Sequence, residues 1–154
     1  MSVGVQRQLI GPVLIMLCNL FDGMKPDFDR TVTGNQIHAQ IQLDFVFKRG
    51  KKTTVCVAHA KRSDFNHAIA RALAGCEAIA EREDQHVVYG IVTDFLTWYL
   101  FRCGENSVAM DWRTLAIWSH EVHKRSLRDV CEMIYGALAD HDEEDKKDEQ
   151  LAMG

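Results

Sequence analysis

The sequence predicts an α/β domain with a mixed β-sheet flanked by helices. The segments along the chain read as helix, three strands, helix, two strands and helix. A strand meander that leads into a helix and then a further strand typically forms such a mixed sheet. The chain has 154 residues, of which 47% are hydrophobic, and this is enough for one domain with a core. We expect this domain to cover residues 1–139 and an acidic, disordered tail to cover residues 140–154.

The N-terminal part predicts one helix and a short strand. An apolar segment at residues 5–21 resembles the core of a signal peptide, but turn-forming residues interrupt it and no small-residue cleavage site follows. It is also too short to span a membrane, so we interpret it as a buried helix. Turn residues at 22–27 predict a loop, and residues 30–34 predict a short strand or hairpin arm.

The central part predicts two strands that carry polar groups. Apolar residues alternate with other residues over 41–48, which predicts a strand with Asp44 off the apolar face. A basic turn follows, and residues 53–61 predict a second strand. Because side chains alternate along a strand, His59 and Lys61 are expected to point the same way.

The second half predicts two helices and at least two strands. Asp64 is a suitable N-cap for a helix at residues 65–83, whose stripe of small residues allows close packing on a sheet. Apolar segments at 87–92 and 98–101 predict strands, and a weaker strand or loop follows them. An amphipathic pattern at 119–139 predicts the last helix.

The charge distribution suggests a polyanionic partner. The net charge is −4, but residues 140–154 alone contain seven acids and two bases, so residues 1–139 carry +1. Within them, residues 48–71 contain seven bases and one acid. A concentrated positive strip on a nearly neutral body suits nucleic acid, although an ordinary solvated surface would also explain it.

The five cysteines are scattered and form no CxxC motif. This pattern indicates free thiols in a reducing compartment and argues against a disulfide framework or a zinc knuckle. We therefore expect an intracellular protein with no membrane partner, and a nuclear location stays open.

Three side chains are candidates for phosphodiester chemistry. Hydrolysis needs a divalent cation that polarises the phosphate and acidifies water, and a positive group near the developing charge. A strand carboxylate followed by two groups at i and i+2 of the next strand would supply these functions. Asp44, His59 and Lys61 fit that spacing, although an ordinary edge carboxylate and a solvated lysine would fit it too.

Two motifs resemble known families. The segments LDFV (43–46) and VCVAHAKR (55–62) look like the PD-(D/E)xK nuclease motif in its form D…V-V-E-A-K. The segment YGIVTD (89–94), followed by Trp98, resembles the nuclease-like domains of Crinkler-type eukaryotic effectors. The similarity extends over about residues 36–102. It implies a restriction-endonuclease-like fold and a metal-dependent DNA nuclease, or a domain that binds DNA in the same cleft.

The resemblance also assigns roles to residues. It implies catalytic roles for Asp44, His59 and Lys61, with Asp44 and His59 binding Mg²⁺ or Mn²⁺ if the site is active. The chain departs from the pattern, because His59 stands where glutamate or aspartate is expected and Arg71 stands where many relatives have glutamine. A neutral imidazole is a poor Mg²⁺ ligand, whereas Mn²⁺ tolerates nitrogen better.

Three functions therefore stay open. The first is a nuclease-like domain that binds nucleic acid, expected to be DNA, with cleavage impaired or restricted to Mn²⁺. The second is an active metal-dependent endonuclease, and the third is a catalytically dead effector that binds proteins. The residues expected to contact nucleic acid are Lys48, Arg49, Lys51, Lys52, Arg62 and Arg71. A homodimer is compatible with the resemblance.

Overall fold

The computed structural model describes residues 3–34, 40–61 and 64–154, with side chains described from residue 8 onward. The helices in these ranges are α1 (Val3–Asn19), α2 (Phe65–Glu83) and α3 (Lys124–Met153). The strands are β1 (Met24–Thr33), β2 (Gln40–Arg49), β3 (Lys52–His59), β4 (Val88–Thr93), β5 (Thr97–Cys103), β6 (Val108–Thr114), β7 (Ile117–Trp118) and β8 (Glu121–Val122). None of the described helices is both long and apolar enough to cross a membrane.

The first six strands form one sheet in the order β1-β2-β3-β4-β5-β6. Strands β3 and β4 are parallel and are connected through α2, while each other neighbouring pair is antiparallel. Strands β7 and β8 form a separate hairpin. The predicted mixed α/β sheet flanked by helices is therefore confirmed.

Helix α2 covers one face of the sheet, and its bounds match the predicted ones. Its buried stripe consists mostly of small residues: Ala68, Ala72, Gly75, Cys76, Ala78 and Ile79. A Cβ atom added to Gly75 would lie 3.1 Å from the Leu43 side chain, so a small residue is needed for this approach. Asp64 is the N-cap residue as predicted, but its side chain forms no capping hydrogen bond.

Helices α1 and α3 contribute to the core on the other face. Apolar residues of both helices pack with the strand residues Phe47, Val57, Ile91 and Trp98 in a single buried cluster. Burial of this cluster removes large aliphatic and aromatic side chains from water, which is the main favourable term in folding. The interpretation of the first apolar segment as a buried helix is consistent with this packing.

The start of β1 and the end of β3 differ from the sequence prediction. β1 begins at Met24, where turn residues predicted a loop, because it pairs with β2 from Met24 opposite Arg49 to Thr33 opposite Gln40. Such long-range pairing overrides local turn propensity. β3 ends at His59 rather than Lys61, so Lys61 lies beyond the strand.

The acidic segment differs most from its prediction. α3 continues through residues 140–153 as a helix, where composition predicted disorder. Two ion pairs connect this part of the helix to the sheet: Asp142 contacts Arg49, and Glu144 lies 3.7 Å from Arg102. α3 also begins later than predicted, at Lys124, because residues 117–122 form the β7–β8 hairpin.

Candidate functional site

The candidate site lies where β2 and β3 stop pairing. Their backbone register runs from the hairpin to Phe45 opposite Val57. Beyond this pair, the Asp44 Oδ2 atom accepts a hydrogen bond of 2.8 Å from the backbone N–H of His59. A side-chain carboxylate thus replaces a backbone carbonyl as the partner of this N–H group.

Arg71 reaches this point from α2. Its Nη2 atom lies 3.7 Å from Asp44 Oδ2 and donates a hydrogen bond of 2.9 Å to the carbonyl of His59. Its Nη1 atom donates a hydrogen bond of 3.1 Å to the carbonyl of Gln42. The guanidinium group therefore connects β2, β3 and the Asp44 carboxylate. We call Asp44, Arg71 and the two strand ends the fork.

The His59 and Asp44 side chains lie on different faces of the sheet. His59 is paired with Thr93 and is only 3% exposed, and alternation along β3 places it with Val55 and Val57 on the face that α1 and α3 cover. Asp44 contacts Arg71 of α2 and therefore lies on the opposite face. The fork brings the Asp44 carboxylate to the backbone of His59 rather than to its imidazole.

Three further candidate site residues belong to this region of the sequence, and one of them lies outside the described residues. Lys61 is exposed, and its carbonyl accepts a hydrogen bond of 2.8 Å from the N–H of Asp64 at the start of α2. Arg62 lies outside the described residues. Arg71 is 25% exposed and its Nε atom is buried without a hydrogen-bond partner.

The donor set does not fit the divalent metal that the family resemblance implies. Within residues 3–34, 40–61 and 64–154, no three His, Cys, Asp or Glu side chains are grouped as metal ligands. Mg²⁺ and Mn²⁺ prefer several oxygen donors in one place. Asp44 offers one carboxylate there, and the imidazole of His59 lies on the other face.

The basic turn lies at the other end of the same two strands. Lys48 and Arg49 end β2, and Lys51 and Lys52 precede the body of β3, with Gly50 supplying a positive φ of 62°. Seven residue steps separate Lys52 from His59, which is about 23 Å at about 3.3 Å per residue. The basic strip of the sequence is thus two separate groups of cations.

An acidic helix segment lies against the basic hairpin. Arg49 forms an ion pair with Asp142 of α3, and Lys146 of the same helix lies 3.6 Å from Asp142. Burial raises the pKa of Asp142, but the hydrogen bond and charge of Arg49 outweigh it and hold that pKa below its ordinary value. A cleft of about 960 Å³ beside this contact is lined by Lys52 and several acids of α3.

Asp142 is a residue that sequence reasoning missed as part of this region. Its segment was treated as a tail apart from the domain, although the excess of acids in it and of bases near Arg49 was visible. Opposite net charges on two segments were the available signal. The sequence did not show that α3 would be long enough to bring them together.

Comparison with known proteins gives one informative similarity. The chain is 37% identical over 132 residues to Crinkler effector protein 5 of Phytophthora infestans. The chain is Crinkler-like. The aligned part covers 84% of this chain but only 37% of that relative.

The two other comparisons give no match. No family model matches the chain, and no solved structure matches it. The similarity supports the Crinkler-type resemblance of the sequence, and the PD-(D/E)xK assignment stays a prediction.

Proposed function

We propose that this chain is a non-catalytic, nuclease-like effector module that binds the phosphate backbone of nucleic acid, with DNA as the expected form. The observation that carries the proposal is the cluster of cations on the β2–β3 hairpin. Lys48 is partly exposed, Lys51 and Lys52 are exposed, and none of these three forms an ion pair with another described residue. Cations of this kind bind phosphates without reading base sequence.

The fork supports the non-catalytic part of the proposal. The Arg71 guanidinium lies 3.7 Å from Asp44 Oδ2, so any divalent ion at this carboxylate would face a positive charge. At a separation of about 6 Å and an effective dielectric constant of about 20, the repulsion is on the order of 5 kcal/mol. Asp44 therefore suits a structural role better than metal binding.

The similarity to a Crinkler effector supports the effector part of the proposal. It covers most of this chain but 37% of the relative, so the activity and partners of the whole relative do not follow from it. An effector module that binds phosphates through a hairpin needs only exposed cations on a rigid strand pair. The β2–β3 hairpin has both properties.

A salt titration tests the binding. Fluorescence anisotropy with a 20-base-pair duplex would be measured from low to physiological salt for the wild type and for Lys48→Gln/Lys51→Gln/Lys52→Gln. Each phosphate neutralised contributes about −0.9 to the slope of log K against log salt. We expect the triple variant to reduce the magnitude of this slope by about 2–3. A single-stranded RNA of the same length would be the second arm.

The matched control removes three positive charges elsewhere. Lys124→Gln/Arg125→Gln/Arg128→Gln changes exposed residues at the start of α3. Lys124 is eighteen residues before Asp142, about 27 Å along the helix. Equal losses in both triple variants would show that only net charge matters, and absence of binding at low salt would end the proposal.

A cleavage assay tests the alternative of an active endonuclease. Plasmid and linear DNA would be incubated with the chain in Mg²⁺ and in Mn²⁺, with Lys61→Ala as the comparison. We expect no metal-dependent product. A product that disappears in Lys61→Ala would replace the non-catalytic proposal with a working nuclease.

A further inference from the structure

The outer strand of the sheet carries an exposed apolar strip. β6 is the last strand of the sheet, and Val108, Met110 and Trp112 on it are 55%, 55% and 53% exposed. They lie opposite Cys103, Phe101 and Tyr99 of β5, which pack on the α2 side. The strip therefore continues the α2-facing surface, and about half of each of these side chains stays exposed.

The backbone of β6 is open on the side away from β5. The N–H of Trp112 donates to Asp111 Oδ1 at 2.8 Å, and the carbonyl of Trp112 accepts from Arg113 Nη1 at 2.7 Å. Both groups thus bond to neighbouring side chains instead of the β5 ladder. Because the direction of backbone groups alternates along a strand, Met110 and Thr114 also present theirs to the open edge.

The charges of Asp111 and Arg113 favour one register if β6 pairs with β6 of a second copy. Antiparallel pairing about a two-fold axis can be centred on Met110, Asp111 or Trp112, since these registers match outward backbone groups with each other. Centring on Asp111 would place two carboxylates opposite each other, and centring on Met110 would place Asp111 opposite Ala109. Centring on Trp112 places each Asp111 opposite Arg113 of the second copy, so two opposite-charge pairs form.

We propose that β6 binds β6 of a second copy of this chain, antiparallel and centred on Trp112, so that two sheets become one. The pairing makes two Trp112 indole rings neighbours and covers Met110 with Thr114 of the second copy. Ile117 and Trp118, which follow β6 in the chain, are also exposed. In the dimer, Asp111 and Arg113 exchange their contact within the chain for contacts between copies.

The monomeric alternative has a physical basis. Charged side chains on an edge strand are a common protection against pairing, and Asp111 and Arg113 already form a salt bridge of 2.6 Å within one chain. The monomer and the dimer differ in whether Asp111 and Arg113 form their ion pair within one chain or between two chains. The experiment must therefore separate intrachain from interchain charge effects.

Complementary charge reversals make that separation. Sedimentation velocity would be run on the wild type, Asp111→Arg, Arg113→Asp and an equimolar mixture of the two variants. Each single reversal makes the edge carry like charges, and we expect its dimer dissociation constant to rise by about 30-fold. The mixture brings a doubly positive edge to a doubly negative one, so heterodimers should form with nearly wild-type affinity.

The controls keep the result interpretable. Asp129→Arg reverses an exposed charge on α3 and should leave the dimer unchanged. Circular dichroism and thermal unfolding would check that each variant is folded, and Met110→Lys provides a second disruption that leaves Asp111 and Arg113 in place. A wild type that stays monomeric at high protein concentration, or two reversed variants that fail to associate when mixed, would overturn the proposal.

Discussion

The two ends of the β2–β3 pair are each closed by an arginine–aspartate contact, but the two contacts are built differently. At the fork, Arg71 of α2 bonds to two backbone carbonyls as well as lying near Asp44, and Asp44 accepts a backbone N–H. At the hairpin, Arg49 meets Asp142 of α3 through side chains alone.

This difference affects how costly it is to separate each arginine from its aspartate. Removing one partner at the fork takes a hydrogen bond away from the partly buried backbone of His59, and the loss of such a bond is costly. Removing one partner at the hairpin leaves a more exposed charge that water can solvate. We therefore interpret the fork as structural and propose that the hairpin contact opens when a phosphate competes for Arg49.

The largest effect should come from Asp44→Ala. We expect a loss of about 2 kcal/mol in the free energy of unfolding, below the roughly 3–5 kcal/mol of a fully buried pair, because Arg71 is a quarter exposed. Urea unfolding would measure it. Asp44→Asn keeps an oxygen for the His59 N–H and should lose about half as much. An Asp44→Ala variant as stable as the wild type would contradict the structural role of the fork.

A smaller effect should come from Asp142→Asn. We expect a loss of about 1 kcal/mol in the free energy of unfolding, since both side chains of this pair keep part of their surface in water. Duplex binding should strengthen by about threefold, because Arg49 becomes available to phosphate. Glu143→Gln, the matched control, removes the same charge from a neighbouring exposed position. Equal gains in duplex affinity from both variants would show that the gain comes from the lower negative charge and not from the loss of the contact with Arg49.

The smallest effect is the pH dependence of the hairpin pair. The pKa of Asp142 is lower in the folded state than its ordinary value of 3.8. The pair therefore contributes stability above about pH 4, and this contribution is lost as the pH falls through the lowered folded pKa. The difference in unfolding free energy between wild type and Asp142→Asn should shrink from pH 5 to pH 2. A difference that is constant over this range would mean that the contact is not electrostatic.

Local patterns in the sequence determined much of the fold. The alternation over 41–48, the Ala-rich stripe of α2 and the apolar segment of β4 each match an observed element. These elements follow from periodicity, which is a property of neighbouring residues. The clusters of opposite charge were also visible, as was the Crinkler-type motif with Trp98, which is fully buried.

The sequence pattern did not reveal on which face of the sheet Asp44 lies relative to His59, because this placement depends on the strand register. In the hairpin, Lys48 lies opposite Thr53, but after a register shift Phe47 lies opposite Val55. Without this one-residue shift, Asp44 would lie opposite Val57 and share a face with His59. A shift of one residue moves side chains to the other face, since the strand period is two. Registers, and also the length of α3 and the open edge of β6, depend on contacts between distant segments, which local patterns do not encode.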